Sequence, residues 1–477
     1  MSIHIPPYVN KIARTLVDAG AQTFLVGGAV RDALLGHTPK DYDLATDLHP
    51  DAATALCERA GYHVVPSGLK HGTVVVTIPD PVTGALSPDV DVTTMRTDGQ
   101  YSDGRRPDRV QFTDNIFDDL RRRDFTVNAM AYNVQTGELL DPHHGQHDLE
   151  LKVLRTVGYP DDRFGEDGLR VMRAMRLATT KGFVLSLGIG ELLQFDLTTA
   201  SRYLSRIAVE RVRAELDMIL ESPRAAYGLR LLMEHHVMPA ILPEVQRLHR
   251  NDQRSPWHAH DTWQHTLAVV AATPPSLPLR WAALLHDIGK PAARGARVAG
   301  GSCHYHGHED VSATMTRVIL QRLKCSNELT DHVVELVGGH MMALTPEHHD
   351  RVFRRALSRH GRVRLEELVH LRCADRLGTG TTTLDEATGE RDALLARIGT
   401  IADDPVTVVQ PSGLAINGKV LMRELGLPQG KPIGILLRAL FDLVLDDPAM
   451  NTESRLLEAA RAAAFGVDYL TDPRARC

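Results

Sequence analysis

The sequence predicts an α/β head built on a small mixed sheet, followed by a mostly α-helical neck, body and tail. Three observations carry this expectation. Strand-like runs are confined to roughly the first 160 residues, helical periodicity dominates after about Pro160, and each part holds its own group of metal-type side chains. With 477 residues the chain exceeds what one hydrophobic core usually serves, so two to four domains are expected.

In the head, FLVGGAV from Phe24, HGTVVVTIP from His71 and DVDVTTM from Asp89 read as strands. VNKIARTLVDAG and DAATALCERAG read as helices flanking them. Beyond Pro160, GEDGLRVMRAMRLATT, AVERVRAELDMILES and AYGLRLLMEHHV repeat apolar residues at helical spacing. A polar, loop-like stretch from Gln246 to Trp257 precedes a His-rich region, and a soft boundary falls between Gly378 and Glu386. The late segment NGKVLMRELGLPQGKPIGILLRALFDLVL is again helical, with a Gly/Pro-marked turn.

Composition narrows the function classes. Hydrophobic residues at 43% and charged residues at 24% are ordinary for a soluble globular protein. MSIHIPPYVNKIARTL lacks the basic flank and apolar run of a secretory signal, and Arg438 and Asp442 interrupt IGILLRALFDLVL, so no membrane span is expected. Cys57, Cys303, Cys325, Cys373 and Cys477 form no CxxC pair, which argues against a disulfide framework or a thiolate zinc site. A reduced, cytoplasmic protein is expected. The net charge of −6 does not suggest a nucleic-acid binder, yet Arg163 to Arg213 holds nine Lys/Arg against five Asp/Glu, and Arg121-Arg122-Arg123 is a second basic run. A phosphate-rich partner could bind there, and a set of solvated helix faces explains the same pattern.

The first constellation is FLVGGAVRDALLGHTPKDYDLAT, Phe24 to Thr46. On a strand, Asp41 and Asp43 place both carboxylates on one side, where they can hold Mg²⁺, a hard cation that shares its shell with substrate phosphates. Asp91 in VDVTT is a candidate third carboxylate. Gly27-Gly28 lets backbone N–H groups approach a triphosphate, and Arg31 adds a charge-assisted contact. A lone DxD is most often a turn or cap; GG-x-VRD upstream of it is far more specific.

These residues resemble the head signature of class II tRNA nucleotidyltransferases, the CCA-adding enzymes, and of the related bacterial poly(A) polymerases, whose heads are polymerase-β-like nucleotidyltransferase domains. SGLKHGTVVV (Ser67 to Val76), DLRRRDFTVNAMAY (Asp119 to Tyr132), GEDGLRVMRAMRLA (Gly165 to Ala178) and AVERVRAEL (Ala208 to Leu216) match further motifs. The resemblance covers about the first 240 residues closely and the late NGK…LG…G…IG segment more loosely. It implies two-metal transfer with Asp41, Asp43 and Asp91 as catalytic carboxylates, Arg122, Arg123 and Asp124 on the nucleotide's sugar and phosphates, and Asn128, Arg173 and Arg176 as further nucleotide-binding residues.

Asp167 and Arg170 lie three apart, on one face if the segment is helical. A carboxylate only accepts and a guanidinium only donates, whereas cytosine and adenine present an exocyclic amine beside a ring acceptor. Uracil and guanine present the reverse order, so the pair fits C and A and leaves unmatched polar groups against U and G. The bland alternative is an i,i+3 surface ion pair.

The second constellation runs through DTWQHTLAVV, RWAALLHDIGKP, HYHGHEDVSA, GGHMM and HLRCADRLG. His265, His286, Asp287 and Asp375 are ligand types for a divalent ion, with His308 and His340 as candidates to complete a second site. His258, His260, His304 and His306 are left as surface histidines. The order resembles the HD phosphohydrolases, an all-α fold, and the combination resembles CCA-adding enzymes of actinobacterial type with an HD domain.

The expected division is therefore a catalytic head over 1–160, a helical neck/body over 161–245 for nucleotide selection and RNA binding, an HD domain over 256–378 and a helical tRNA-binding body/tail over 379–477. The expected function is addition of the 3′-terminal CCA to tRNA with CTP and ATP, gripping the acceptor arm by shape and phosphates, plus an HD phosphodiesterase or phosphatase activity. Mg²⁺ is expected in the head, and a transition metal or Mg²⁺ in the HD domain. The rivals are a poly(A) polymerase, an enzyme adding only CC or A, an HD nucleotide hydrolase with a binding-only head, and a purely RNA-binding protein. SGLKHGTV stands where poly(A) polymerases carry a basic Arg/Phe-containing stretch. TDGQYSDGRRP (Thr97 to Pro107) resembles the flexible loop of full CCA enzymes. Intact DxD, EDxxR and HD arrays favour a bifunctional enzyme.

Overall fold

The computed structural model describes residues 3–69, 72–80, 82–99, 109–250, 261–293 and 305–471. His258, His260 and His304, most of the Thr97–Pro107 loop, and Lys70 and His71 of the SGLKHGTV segment lie outside these residues. The chain forms two compact units, Met1–Gln246 and Arg247–Cys477.

The first unit is organised by a mixed sheet. Its strands are β1 (Thr23–Val26), β2 (Tyr42–Thr46), β3 (His63–Gly68), β4 (Thr73–Thr77) and β5 (Val90–Thr94). A short ribbon of β6 (Arg96–Asp98) with β7 (Val110–Phe112) precedes β8 (Ala131–Asn133) and β9 (Leu139–Leu140). The order across the sheet is β3-β4-β5-β2-β1-β8-β9, with β2 and β5 parallel and the other neighbours antiparallel. Phe24 and Val26 of β1, Ala45 of β2 and Ala131 of β8 pack on one face against Met95, Ile116 and Leu120. This alternation is the period-2 pattern of a strand with one face on a core.

The FLVGGAV reading needs a correction. Only the first half of that run is strand: β1 ends at Val26, and Gly28–Leu34 is already a helix. The glycines form the strand-to-helix turn, with Gly27 at φ +72°, a conformation disfavoured for any residue with a Cβ. After residue 160 the unit is helical, apart from Val184–Leu185 paired in parallel with Val153–Leu154. The helix Leu169–Lys181 buries Val171, Met172, Ala174, Met175, Leu177 and Ala178 on one stripe and stops at Gly182, φ +77°, a left-handed helix terminus.

The second unit is helical throughout its described residues. Helices Thr262–Ala272, Leu277–Leu285, His308–Arg322, Asn327–Gly339 and Asp350–Gly378 surround the histidine-rich region. The last of these breaks at Gly361, φ +73° and ψ 168°. Leu384–Ala402 begins with a capping box between Thr383 and Glu386 and shares a core with Asp350–Gly378 through Leu394, Ile398, Leu365 and Val369. A second core joins Gly418–Leu425, Lys431–Asp446 and Glu453–Thr471 through Leu421, Leu440 and Leu456. Arg354 ties the two: it donates to the Leu445 and Asp446 carbonyls at 2.7 Å each, satisfying otherwise orphaned acceptors at a helix end.

Candidate functional site

In the first unit, a cavity of about 830 Å³ is lined by Gly27, Gly28, Arg31, Asp41, Asp43, Arg122, Arg123, Asp124, Asn128, Asp167, Arg170, Arg173 and Arg176, with Asp32, Lys181 and Arg211 among its other walls. All the sequence-derived head residues except Asp91 border it. Its position follows from strand register. Val26 pairs with Asp43, so the chain leaving β1 at Gly27 runs past the Asp43 carboxylate. A Cβ on Gly27 would lie 3.3 Å from Asp43 Oδ2 and 3.1 Å from Arg123 Nη1.

The strand argument for Asp41 is half right. β2 begins at Tyr42, so Asp41 precedes the strand and is exposed, yet both carboxylates line the cavity. Asp91 is the register partner of Asp43 in the parallel β2–β5 pair, which places it beside Asp43 on the same sheet face. Burial, and then the Arg123 guanidinium opposing it and the Asp41 carboxylate reinforcing it, leave the Asp43 pKa raised. Burial, Asp43, Asp89 and Asp41 raise that of Asp91. These carboxylates repel one another across an all-oxygen donor set, which is what a hard divalent cation relieves. Asp41 and Asp43 therefore fit a hard divalent cation.

Opposite them the basic residues arrive paired. Arg122 and Arg123 donate to the two oxygens of Asp119 at 2.6 and 2.9 Å. Burial favours the neutral form of Asp119, but Arg123 and Arg122 reverse this and hold its pKa below the ordinary value. Arg31 donates to Asp32 at 2.8 Å and to Asn128 Oδ1 at 2.6 Å, and Lys181 reaches the same Asp32 oxygen at 2.9 Å. Asp124 accepts from Asn128 at 3.0 Å and from Arg173 at 2.6 Å. Arg176 donates to Glu215 at 2.5 Å. Asp32 was noted only within the GG-x-VRD motif, and Asp119, Lys181, Glu215 and Arg211 were given no role of their own in the sequence. For Asp119 the signal was present, an acid three and four residues before two arginines.

Asp167 and Arg170 do not share a helix, which corrects the sequence argument. Asp167 is extended, φ −137° and ψ 104°, and Leu169–Lys181 begins after it. Gly168 between them is obligatory, because a Cβ there would sit 2.0 Å from the Tyr203 carbonyl oxygen. The two side chains still line one cavity without pairing. Asp167 accepts from Arg211 at 3.1 Å, and Arg170 donates to Glu166 at 2.5 Å.

The second unit gathers all six HD candidates in two trios, His265, His286 and Asp375, and Asp287, His308 and His340. Nε2 of His265 lies 3.1 Å from Nε2 of His286 and 3.0 Å from Asp375 Oδ1. Nε2 of His308 lies 3.1 Å from Nε2 of His340 and 3.2 Å from Asp287 Oδ1. The other oxygen of Asp287 faces His286 at 3.2 Å and Lys290 at 2.6 Å. In His286, His308 and His340, Nδ1 lies 2.9, 2.8 and 2.7 Å from the Ala283, Tyr305 and Val337 carbonyls. A carbonyl can only accept, so Nδ1 carries the proton and Nε2 points inward, as in metal-binding imidazoles. Against the effect of burial, Asp287 and Asp375 raise His286 to about 10. Burial and the neighbouring His286 push His340 down to about 4. The cluster demands central positive charge, and mixed N/O donors fit a divalent ion. Lys290 escaped the sequence reading, although HDIGK displayed it. His306 takes no place in either trio.

Three family models match the chain: the Poly A polymerase head domain over 23–155, the probable RNA and SrmB-binding site of polymerase A over 196–248, and the HD domain over 262–403. A CCA-adding enzyme of Geobacillus thermodenitrificans is 36% identical over 295 residues, 61% of this chain and 65% of that one. One of Lactiplantibacillus plantarum is 29% identical over 465 residues, 95% of each. The crystal structure of the Bacillus stearothermophilus CCA-adding enzyme with CTP superimposes with TM-score 0.72 at 25% identity, covering 98% of this chain and all of that one. The chain is similar over nearly its whole length to CCA-adding tRNA nucleotidyltransferases, and its second unit matches the HD domain. The match spans 52–65% of the length of the first four curated family members. The Thermotoga maritima family member complexed with tRNA shares the fold, with TM-score 0.53 at 20% identity and coverage of 95% of this chain and 94% of that one. No helix among the described residues is long and apolar enough to cross a membrane.

Proposed function

We propose that the chain adds the 3′-terminal CCA to tRNA in the cytoplasm, using CTP and ATP and releasing pyrophosphate. The observation that carries this reading is the convergence of Gly27-Gly28, Asp41 and Asp43, and the Asp167/Arg170 pair on one cavity. Backbone N–H groups at the Gly27–Gly28 turn and the Arg31, Arg122 and Arg123 guanidiniums receive the triphosphate. Asp41 and Asp43, with Asp91 beside Asp43, would hold Mg²⁺, which when bound supplies activation of the tRNA 3′ hydroxyl and charge stabilisation at the leaving pyrophosphate. Asp124 and Asn128 brace Arg173 and Arg31, and Arg176 lies along the same wall, so these residues orient the nucleotide through their neighbours. Asp167 accepts from the exocyclic amine of C or A while Arg170 donates to the adjacent ring nitrogen. The division into head (1–160), neck/body (161–245), HD domain (256–378) and C-terminal body/tail (379–477) belongs to this reading, with the acceptor arm gripped by the helical parts.

The second unit supports a phosphodiesterase or phosphatase activity. His265, His286, Asp287, Asp375, His308 and His340 would hold a pair of divalent ions, transition metals or Mg²⁺, which supply a nucleophilic hydroxide when bound. Lys290 steadies Asp287.

The test incubates the protein with Mg²⁺ and tRNA transcripts lacking three, two, one or none of the terminal nucleotides, offering each nucleotide singly and together. Addition of two C and one A, then arrest, is the expected result. A long A tail would mean a poly(A) polymerase, C alone a specialised enzyme, and no addition would move the function to the HD unit.

A further inference from the structure

Asp167 and Arg170 carry opposite charges three residues apart in one cavity, yet each is tied to something else. Asp167 Oδ1 accepts from the Leu169 amide at 3.0 Å, and Oδ2 accepts from Arg211 Nη2 at 3.1 Å. Arg170 donates to Glu166 Oε2 at 2.5 Å, to the Arg163 carbonyl at 3.0 Å and to the Arg122 carbonyl at 3.1 Å. Were the two to pair with each other, the carboxylate's acceptors and the guanidinium's donors would be spent on one another, and neither would remain for a base.

We infer that Arg211, reaching in from the helix Val209–Leu220, is a positioning residue for base choice. The inference rests on the nucleotide-selection reading above. Arg211 holds the Asp167 carboxylate off Arg170, so that one acceptor and one donor stand side by side. Without it, a single attachment remains, the Leu169 amide on Oδ1. The freed Oδ2 then swings to the guanidinium three residues on. The acceptor for an exocyclic amine is lost, and with it the mismatch that rejects uracil and guanine. The side chains of Arg211 and Asp167 are 29% and 17% exposed, so this contact is sheltered by the cavity wall without being sealed from a ligand. Arg211 acts on the substrate only through Asp167.

The experiment measures kcat/KM for CTP, ATP, UTP and GTP on full-length wild type, R211M and R211K, using tRNA transcripts lacking three nucleotides or one. R211M removes the donor; R211K keeps a cation within reach of Asp167. The expected result is a loss of at least tenfold in the CTP:UTP and ATP:GTP ratios for R211M, with most of the ratio recovered in R211K. Should R211M fail to fold, R211Q, which keeps a neutral donor too short to hold the carboxylate, is measured in the same way. A variant that loses activity equally on all four nucleotides, with ratios unchanged, would show that Arg211 is only structural and would overturn the inference. A wild-type protein that shows no preference among the four would sink the selection reading itself, which separates the two failures.

Discussion

At the scale of single residues, the side chains lining the head cavity divide, in the proposed reading, into those that meet the ligand and those that hold others in place. Asp41→Ala should abolish nucleotide addition while leaving folding and any hydrolysis by the second unit intact; a gel assay of addition beside a phosphatase assay reads both. Asp167→Ala should loosen base choice, seen as UTP incorporation rising relative to CTP. Asp124 behaves differently, because it is buried against Arg173. Burial opposes its ionisation, but Arg173, Arg170 and the Asn128 hydrogen bond prevail and hold its pKa well below the ordinary 3.8. The unfolded chain takes up that proton first, so the stabilisation is complete above 3.8 and is lost as pH falls below it. Asp124→Asn strands the Arg173 charge and should cost about 3 kcal/mol near neutral pH. The gap from wild type should narrow between about pH 4 and pH 2. Hydrogen exchange of head amides across that range measures it, and a pH-independent gap would contradict the assignment.

At the scale of elements, the turns fix the geometry. Gly168 lets the chain pass against the Tyr203 carbonyl and start a new helix immediately after Asp167. Gly168→Ala forces that backbone apart and should destabilise the first unit by about 2–4 kcal/mol, read as a lowered melting transition, with activity on CTP and ATP falling together. Sequence reasoning found the residues of this segment but misjudged its backbone. An EDxxR string looks helical because spacing reports which residues recur, while the close approach that demands glycine at the break, Tyr203 against Gly168, lies 35 positions away. The same limit applies to FLVGGAV, where a run of apolar and small residues continued across the Gly27 turn into a helix. The strands β1, β2, β4 and β5, the helix Leu169–Lys181 and the clustering of the six HD candidates were legible because each carried local periodicity or paired side chains of one chemistry. Arg211, Lys181 and Glu215 were not. Their role comes from partners more than 35 positions distant, and an arginine or glutamate on an amphipathic helix has no local mark of that pairing.

At the scale of the whole molecule, the two units hold separate groups of metal-type side chains, and the proposed chemistries make different demands on metal. In the first unit Asp43 and Asp91 sit on a sheet with its own core and Asp41 just before it, so the fold there does not depend on an ion. In the second, candidate ligands from five separate helices and turns meet in two adjoining trios: His265, His286 with Asp287, His308, His340 and Asp375. Binding in the folded state alone stabilises by mass action. Removing divalent ions with a chelator should therefore lower the melting temperature of the second unit by several degrees and leave that of the first nearly unchanged. Calorimetry on the full-length protein, with and without added Mn²⁺, distinguishes the two transitions. Equal shifts in both would place the stabilising ion elsewhere.

Asp287 has a consequence for how those ions load. One carboxylate turns one oxygen to His308 and the other to His265 and His286, so both trios draw on the same side chain. An ion held by one trio would compete with Lys290 for the Asp287 carboxylate and would leave that carboxylate oriented for the other trio. Occupancy should then climb cooperatively, and a titration followed by metal-sensitive absorbance should be steeper than two independent sites allow. Replacing Asp287 with asparagine should uncouple the two steps as well as weaken each.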